Sequence, residues 1–144
     1  MTTYTIRPVE RHAKAFGSNL RISRKNAVII CRVIRGKKLK VAKRLLEDLE
    51  SNRRSLKGKF YTNAVSEILE LLRSCEKNAD FHNLNRENLF VHASAHSGSI
   101  VRRRRRKAKF GSRMKMTNVE IFLLERGKMP AIEKPAKKEK TPKA

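Results

Sequence analysis

The sequence has no tryptophan, only two cysteines, and few acidic residues for its length. Thirteen Asp and Glu stand against 36 Lys and Arg, which gives a formal net charge of +23 over 144 residues. So much uncompensated charge is unusual for an isolated domain, because self-repulsion opposes compaction. A polyanionic partner is expected. Nucleic acid is favoured over an anionic membrane surface, since membrane-surface proteins usually present a basic amphipathic helix and the densest basic run here is not helical in pattern.

Several further absences exclude whole classes of protein. No hydrophobic run approaches the ~20 residues of a membrane span, and the first ten residues lack the apolar core of a signal peptide. Cys31 and Cys75 are isolated within helical patterns, so we expect buried small side chains in a reducing compartment rather than a zinc site. The chain has no Ser/His/Asp set, paired carboxylates or Gly-rich phosphate loop, so we expect no enzyme, cofactor or metal.

The length and patterning predict one domain of the α+β class. We expect residues 1–126 to form this domain, with a hairpin extension at about residues 97–117. Residues 127–144 hold three Pro and five Lys between Met129 and Ala144, which predicts a disordered basic tail. Met1 to Arg11 has no clear period and predicts a loose arm. His12 to Ile22 alternates weakly and contains Gly17, which is typical of a bent or edge strand.

Three amphipathic helices follow. The first is predicted from Arg24 to Arg35, with the Ser23 hydroxyl as N-cap and Gly36 as the stop. The second and third are predicted over Lys40–Glu50 and about Tyr61–Asp80. Apolar residues at helical spacing form their buried faces: Ala27, Ile30, Cys31 and Ile34; Leu39, Ala42, Leu45, Leu46 and Leu49; and Ala64, Val65, Ile68, Leu69, Leu72, Cys75 and Ala79.

The most informative stretch is a basic run between two predicted strands, one over Leu89–His96 and one over Asn118–Leu124. Nine Lys or Arg and no acid occur between Val101 and Met116. Two strands joined by such a segment predict a hairpin whose tip leaves the body and needs a polyanion to order it. Arg offers phosphate a bidentate fork, Phe110 can stack on an unpaired base, and Gly111 permits a tight reversal. A localisation signal or a solvated face remains the alternative for the run itself.

His92, Ser94 and His96 would face one side of the first hairpin strand. As metal ligands the two histidines lack a third partner, so we interpret them as half-exposed polar residues facing RNA or the domain surface.

The order of these segments resembles the universal large-subunit ribosomal protein twenty-two family, which is called seventeen in the eukaryotic subunit. The matching segments are Gly17–Ser23, Val33–Lys37, Glu76–Ala79, Leu89–His96, Lys109–Arg113 and Val119–Ile121. The Gly-Ser-Asn-Leu entry and the His-Ala-Ser-Ala-His strand look more archaeal or eukaryotic than bacterial. The loop from Ser51 to Lys59 and the return arm from Gly111 to Asn118 are short for the family, and Lys107-Ala108-Lys109 replaces its usual Pro-Arg-Ala tip.

The resemblance implies three helices on a three-stranded antiparallel sheet, in a structural and assembly protein of the cytoplasmic large ribosomal subunit. It also implies ribosomal RNA and neighbouring large-subunit proteins as partners, with the nascent polypeptide meeting the hairpin tip in the exit tunnel. The predicted RNA-binding residues are Arg21, Arg24, Lys25, Arg35, Lys37, Lys38, Lys59, His92, His96, Arg102, Arg103, Arg104, Arg105, Arg106, Lys107, Lys109, Phe110, Arg113 and Lys115. The predicted tunnel-lining tip is Lys107, Ala108, Lys109, Phe110, Gly111 and Ser112. A free RNA- or DNA-binding regulator is the alternative function.

Overall fold

The computed structural model describes residues 4–6, 8–9, 11–102 and 111–126. The elements in chain order are β1 (His12–Leu20), α1 (Arg24–Ile34), α2 (Leu39–Glu50), α3 (Thr62–Phe81), a 3₁₀ turn (Arg86–Asn88), β2 (Leu89–Arg102) and β3 (Arg113–Glu125). The strands form an antiparallel sheet in the order β1-β3-β2, so the last strand lies in the middle. The α+β class, the three helices and the three-stranded sheet are confirmed.

The core lies between one face of the sheet and the three helices. From the sheet it receives alternate residues such as Val91, Ala93, Val119, Ile121 and Leu123, all almost completely buried. All of the residues predicted to form the three apolar helix faces are buried, including both cysteines. The helical period thus identified the core correctly, because only these faces offer enough apolar surface to cover the sheet.

The helix boundaries differ from prediction by one residue at most, and the predicted N-cap position of α1 is confirmed. Ser23 occupies the N-cap position of α1, yet its side chain makes no capping hydrogen bond. Helix α1 ends at Ile34, and Gly36 stops it with a φ of 76°, a left-handed conformation that glycine adopts without strain. The strand predicted to reach Ile22 ends at Leu20.

The outer edge of β2 is covered by the chain that links α1 to α2. Gly36 donates its N–H to the carbonyl of Val91 at 2.8 Å, and Val91 donates to the carbonyl of Lys37 at 2.9 Å. The Arg35 guanidinium reaches further along the same edge and donates to the carbonyl of Ala93 from Nε at 3.1 Å and from Nη2 at 2.8 Å. These bonds satisfy backbone groups that an exposed edge strand would otherwise offer to another chain.

The other face of the sheet is partly covered by the N-terminal segment, which the sequence predicted to be loose. The Tyr4 ring packs on Phe16 and Phe122, with ring centroids 5.6 and 5.3 Å away. Thr5 donates from its backbone N–H and its hydroxyl to the carboxylate of Glu120, which is fully buried. The prediction of a loose arm is therefore wrong for residues 4 and 5, because a buried carboxylate and two aromatic rings hold them.

The hairpin formed by β2 and β3 is longer than the predicted strands. The ladder continues past His96 through Ile100↔Lys115 and Val101↔Met114 to Arg102↔Arg113. Both outer strands are irregular where it leaves the body: β1 shifts register between Gly17 and Leu20, and β2 between Ser97 and Ile100. Each bulge sets two residues against one on β3, which bends a strand and increases its twist.

Candidate nucleic-acid interface

A groove lies at the root of the hairpin, where the beginning of α1 meets the two hairpin strands. Its volume is about 410 Å³. Its lining residues are Ile22, Ser23, Arg24, Lys25, Ser97, Gly98, Ile100, Lys115, Met116 and Thr117. A second hollow of about 380 Å³ shares Ile22, Ser23 and Lys115 with it and adds Arg21, Arg113 and Met114. We call this joint surface the basic groove. It brings together five residues that the sequence predicted to bind RNA: Arg21, Arg24, Lys25, Arg113 and Lys115.

Local structure explains why these cations converge. β1 ends at Leu20, and α1 begins four residues later, so the intervening turn presents Arg21, Arg24 and Lys25 together. Thr117 anchors this turn to β3, since its buried hydroxyl donates to the carbonyl of Ile22 at 2.8 Å. The groove also lies at the N-terminal end of α1, where the helix dipole favours an anion.

The bulge in β2 decides which hairpin side chains reach the groove. Along β3, Thr117, Val119 and later odd-numbered residues point toward the helices, so Lys115 projects on that same side. Up to Ser97, odd-numbered residues of β3 pair with odd-numbered residues of β2. Beyond the bulge, the odd-numbered Lys115 pairs with the even-numbered Ile100. The extra residue therefore places Ile100 in the groove, whereas the next residue, Val101, does not line it.

The electrostatics of the groove follow from an asymmetry in the sequence. Its lining residues come from two stretches, residues 11–46 and 88–119, that contain no Asp or Glu. Within the described part of the chain, none of its five cations forms an ion pair. A concave surface lined by unpaired cations attracts anions from solution.

The acidic residues are used elsewhere, largely to neutralise bases on other parts of the body. Lys43 on α2 pairs with Glu76 on α3 at 2.9 Å, which ties these two helices together. Arg86 pairs with Asp80, and the hydrogen bond from this guanidinium holds the pKa of the Asp80 carboxyl below its ordinary value.

A second basic groove follows the outer face of α2. Its volume is about 470 Å³, and its lining residues are Lys37, Lys40, Val41, Arg44, Leu45, Asp48 and Arg54. Only Lys37 among them was predicted to bind RNA. Lys40 and Arg44 stand one helical turn apart on the polar face of α2, a spacing that the sequence already shows. Arg54 comes from the loop after α2, and its proximity depends on the tertiary structure.

The other predicted binding residues on the body lie apart from the basic groove. Arg35 holds the edge of β2 as described, and Lys38 forms an isolated bridge with Phe90. Lys59 is exposed in a tight turn with Leu56.

The two histidines lie on the sheet face that the N-terminal segment covers. His96 Nδ1 is 3.7 Å from a carboxylate oxygen of the buried Glu120, and the Ser94 hydroxyl is 3.3 Å from the other oxygen. His92 packs on Phe122, and its buried Nδ1 has no hydrogen-bond partner among the described residues. Burial, with the nearby Arg35 guanidinium, lowers the pKa of His92. These side chains therefore serve the packing of this face.

The tip of the hairpin lies mostly outside the described residues. The predicted binding and tunnel residues Arg103, Arg104, Arg105, Arg106, Lys107, Ala108, Lys109 and Phe110 belong to that part. Gly111 is described and has a φ of 73°, as expected for a residue at a reversal. The last described pair is Arg102↔Arg113, so the midpoint of the connection in sequence falls between residues 107 and 108.

Comparison with known proteins identifies the family. The family model described as "Ribosomal protein L22p/L17e" matches residues 15–122, which is most of the chain. The chain belongs to this family of ribosomal proteins. The match spans all three helices, β2, most of β3 and the basic groove.

Individual relatives agree with the family model. The chain is 35% identical over 122 residues to the large ribosomal subunit protein uL22 of Archaeoglobus fulgidus, covering 69% of this chain and 79% of the relative. It is 37% identical to the protein of the same name from Methanosphaera stadtmanae, with the same coverage. A third such protein, from Thermofilum pendens, is 35% identical over 65% of this chain and 74% of its own length.

These relatives confirm two predictions from the sequence. The chain is of the archaeal type, and it belongs to a structural rather than an enzymatic family. Among the described residues, no helix is long and apolar enough to cross a membrane. The same residues contain no cluster of three or more side chains suited to hold a metal ion.

Proposed function

We propose that this protein is a structural constituent of the large ribosomal subunit in the cytoplasm, where it binds ribosomal RNA and assists assembly. The basic groove is the main contact of the body with RNA, and the second basic groove adds phosphate contacts. The hairpin continues from the basic groove into the RNA, and its tip lines the polypeptide exit tunnel, where it meets the nascent chain. Neighbouring large-subunit proteins complete its surroundings.

The single observation that supports this proposal most directly is the convergence of five unpaired cations at the root of the hairpin. Arg21, Arg24 and Lys25 come from one acid-free stretch, and Arg113 and Lys115 come from the other. Such a surface would be costly in self-repulsion unless a polyanion neutralised it. Because the groove continues into the hairpin, one RNA can contact both.

The reach of the hairpin supports a role beyond the surface of the body. A paired strand advances ~3.3 Å per residue, so the described part of the extension from Ser97 to Arg102 spans roughly 15 Å before the basic connection begins. A surface hairpin needs only two to five residues for its turn. The midpoint of the connection falls within the predicted tip Lys107–Ser112, which favours this segment as the part that meets the nascent chain.

Binding to purified large-subunit ribosomal RNA at several salt concentrations tests the RNA contact. Replacing Arg24 and Lys25 by Ala should weaken binding and flatten the log–log salt slope by about two units, because two fewer counterions are released. The matched control replaces Arg32 and Lys77, two exposed cations of α1 and α3 outside both grooves, and should leave the slope nearly unchanged. Equal slopes for the groove variant and the wild type would refute the groove as an RNA contact.

Sedimentation of native extract separates this function from that of a free regulator. A ribosomal constituent should remain with large subunits through a moderate salt wash, whereas a regulator should leave them and prefer a particular motif at physiological salt.

Deleting Lys107–Ser112 should leave incorporation into subunits largely intact, since the body and groove remain. In the protein that keeps this segment, a photocrosslinker at Lys109 should label nascent chains. If it labelled only RNA or bulk protein, the tunnel placement would be refuted.

A further inference from the structure

The basic groove contains an apolar patch that phosphate contacts alone do not explain. Ile100 is 59% exposed, and it lines the groove beside Ile22 and the cations Arg24, Lys25 and Lys115. What sets Ile100 apart from an ordinary exposed side chain is its place in a concave groove, where apolar and charged groups converge as they do in ligand sites. An occupant of this groove must therefore carry both negative charge and an apolar surface.

We propose that the basic groove holds a single unpaired nucleotide of RNA, with its base against Ile100 and its flanking phosphates on Arg24, Lys25 and Lys115. This inference rests on the proposed RNA-binding function and specifies the form of RNA that the groove recognises. A nucleotide has the required combination of an anionic backbone and a flat apolar base. Within a regular duplex the base is stacked and paired, so only a bulged or looped nucleotide can enter.

The size and polar lining of the groove fit this occupant. Its volume of about 410 Å³ is within the range typical of small-ligand sites. Ser23 and Ser97 are exposed and line the groove, and the Ser23 hydroxyl makes no capping bond to α1, so both hydroxyls can bond to base edges. Gly98 lets the backbone itself form part of the wall.

Charge argues against the two protein occupants that come first to mind. The C-terminal segment of this chain carries five Lys between Met129 and Ala144, and the groove cations would repel it. An acidic peptide would satisfy the cations, but its charged side chains gain nothing from covering Ile100. A nucleotide satisfies both parts of the lining.

The test compares two RNA hairpins that differ only in one bulged 2-aminopurine nucleotide, each titrated with the full-length protein. The wild type should bind the bulged RNA about tenfold more tightly, as burial of the Ile100 side chain under one base predicts, with a change in 2-aminopurine fluorescence. Ile100→Ser should lose most of this preference without changing the salt slope. Lys115→Ala should instead flatten the slope by about one unit for both RNAs.

Val101→Ser is the matched control, because Val101 is the next residue, is also exposed at 44%, and does not line the groove. It should keep the preference for the bulged RNA. Circular dichroism and thermal melts would establish that all variants fold alike.

Each result decides the proposal. Equal binding of both RNAs by the wild type would overturn the nucleotide pocket, while the shared salt dependence would leave the proposed function standing. Equal loss of preference in Ile100→Ser and Val101→Ser would also overturn it, because the base would not lie in the groove. Salt-independent or absent binding of both RNAs and of ribosomal RNA would instead refute the proposed function.

Discussion

Asn19 and Asn118 join the two bulges from which the hairpin leaves the sheet. The backbone N–H of Asn19 donates to the side-chain oxygen of Asn118 at 2.8 Å, and the Asn19 side-chain oxygen accepts the N–H of Ser99 at 2.9 Å. Asn19 has a φ of 52°, a left-handed conformation that asparagine tolerates better than most residues. The pair therefore connects an irregular point on β1 to another on β2 through the middle strand, and it fixes the direction of the hairpin.

Gly98→Ala should destabilise this junction. A Cβ at Gly98 would lie 2.7 Å from the Asn19 side-chain oxygen, 2.9 Å from that of Asn118 and 3.2 Å from the Met116 backbone carbon. Because both oxygens already bond to backbone N–H groups, neither can move without loss, and we expect a cost of about 1–3 kcal/mol in the free energy of unfolding. Urea denaturation measures it. Ser99→Ala, at the neighbouring exposed position, should cost under about 0.5 kcal/mol; equal costs would contradict the steric argument.

Glu120→Ala should release the N-terminal segment and lower stability. The buried carboxylate accepts hydrogen bonds from the Thr5 N–H at 3.1 Å, the Thr5 hydroxyl at 2.9 Å and the Ser94 hydroxyl at 3.3 Å. Loss of bonds to a charged acceptor predicts about 2 kcal/mol in unfolding free energy. Amide exchange at Thr5 should accelerate as well. Glu70→Ala, on the exposed face of α3, should change neither quantity, and unaltered exchange in Glu120→Ala would show that the carboxylate does not hold the segment.

The two thiols should be inert in the folded protein. Burial raises the pKa of Cys31 and of Cys75 to about 12, so the reactive thiolate is scarce at pH 8. An aromatic disulfide reagent should react slowly with the native protein and rapidly with both thiols once urea has unfolded it. A rapid reaction at one equivalent under native conditions would mean that one of these helix faces opens without global unfolding.

His92 should make the protein less stable in acid. Its pKa is lowered from the ordinary value of 6.5, so the folded state binds a proton less readily than the unfolded state. The stabilisation is fully present above pH 6.5 and is lost as the pH falls through 6.5 toward the folded-state pKa. Unfolding free energies at pH 7.5 and pH 5 measure it: the difference should be smaller in His92→Leu than in the wild type. An equal difference would assign the acid sensitivity to other groups.

Local patterns predicted most of the fold because each reports a local physical requirement. The helix faces were identified by their period, and Gly36 by the left-handed turn that it alone accepts easily. The failures arose where partners distant in sequence decide the outcome. The segment around Thr5 looked loose because nothing nearby in sequence binds it, and Glu120 lies 115 residues away. Arg35 remains a predicted RNA ligand, and only the tertiary structure shows that its guanidinium also binds the edge of β2.

The sequence by itself determined the charge of the protein, its helices and strands, its family and the basic hairpin, because composition and periodicity are properties of the chain. Only the tertiary structure decided which cations act together. Arg24 and Lys115 are 91 positions apart, and they meet because Thr117 binds the turn before α1 and because a bulge shifts β2 by one residue. That same shift exposes Ile100 in the groove. Periodicity cannot predict that Ile100 faces the groove, because the extra residue of a bulge reverses the direction of every later side chain in the strand. The position of the bulge is set by contacts between strands, which the sequence pattern does not show.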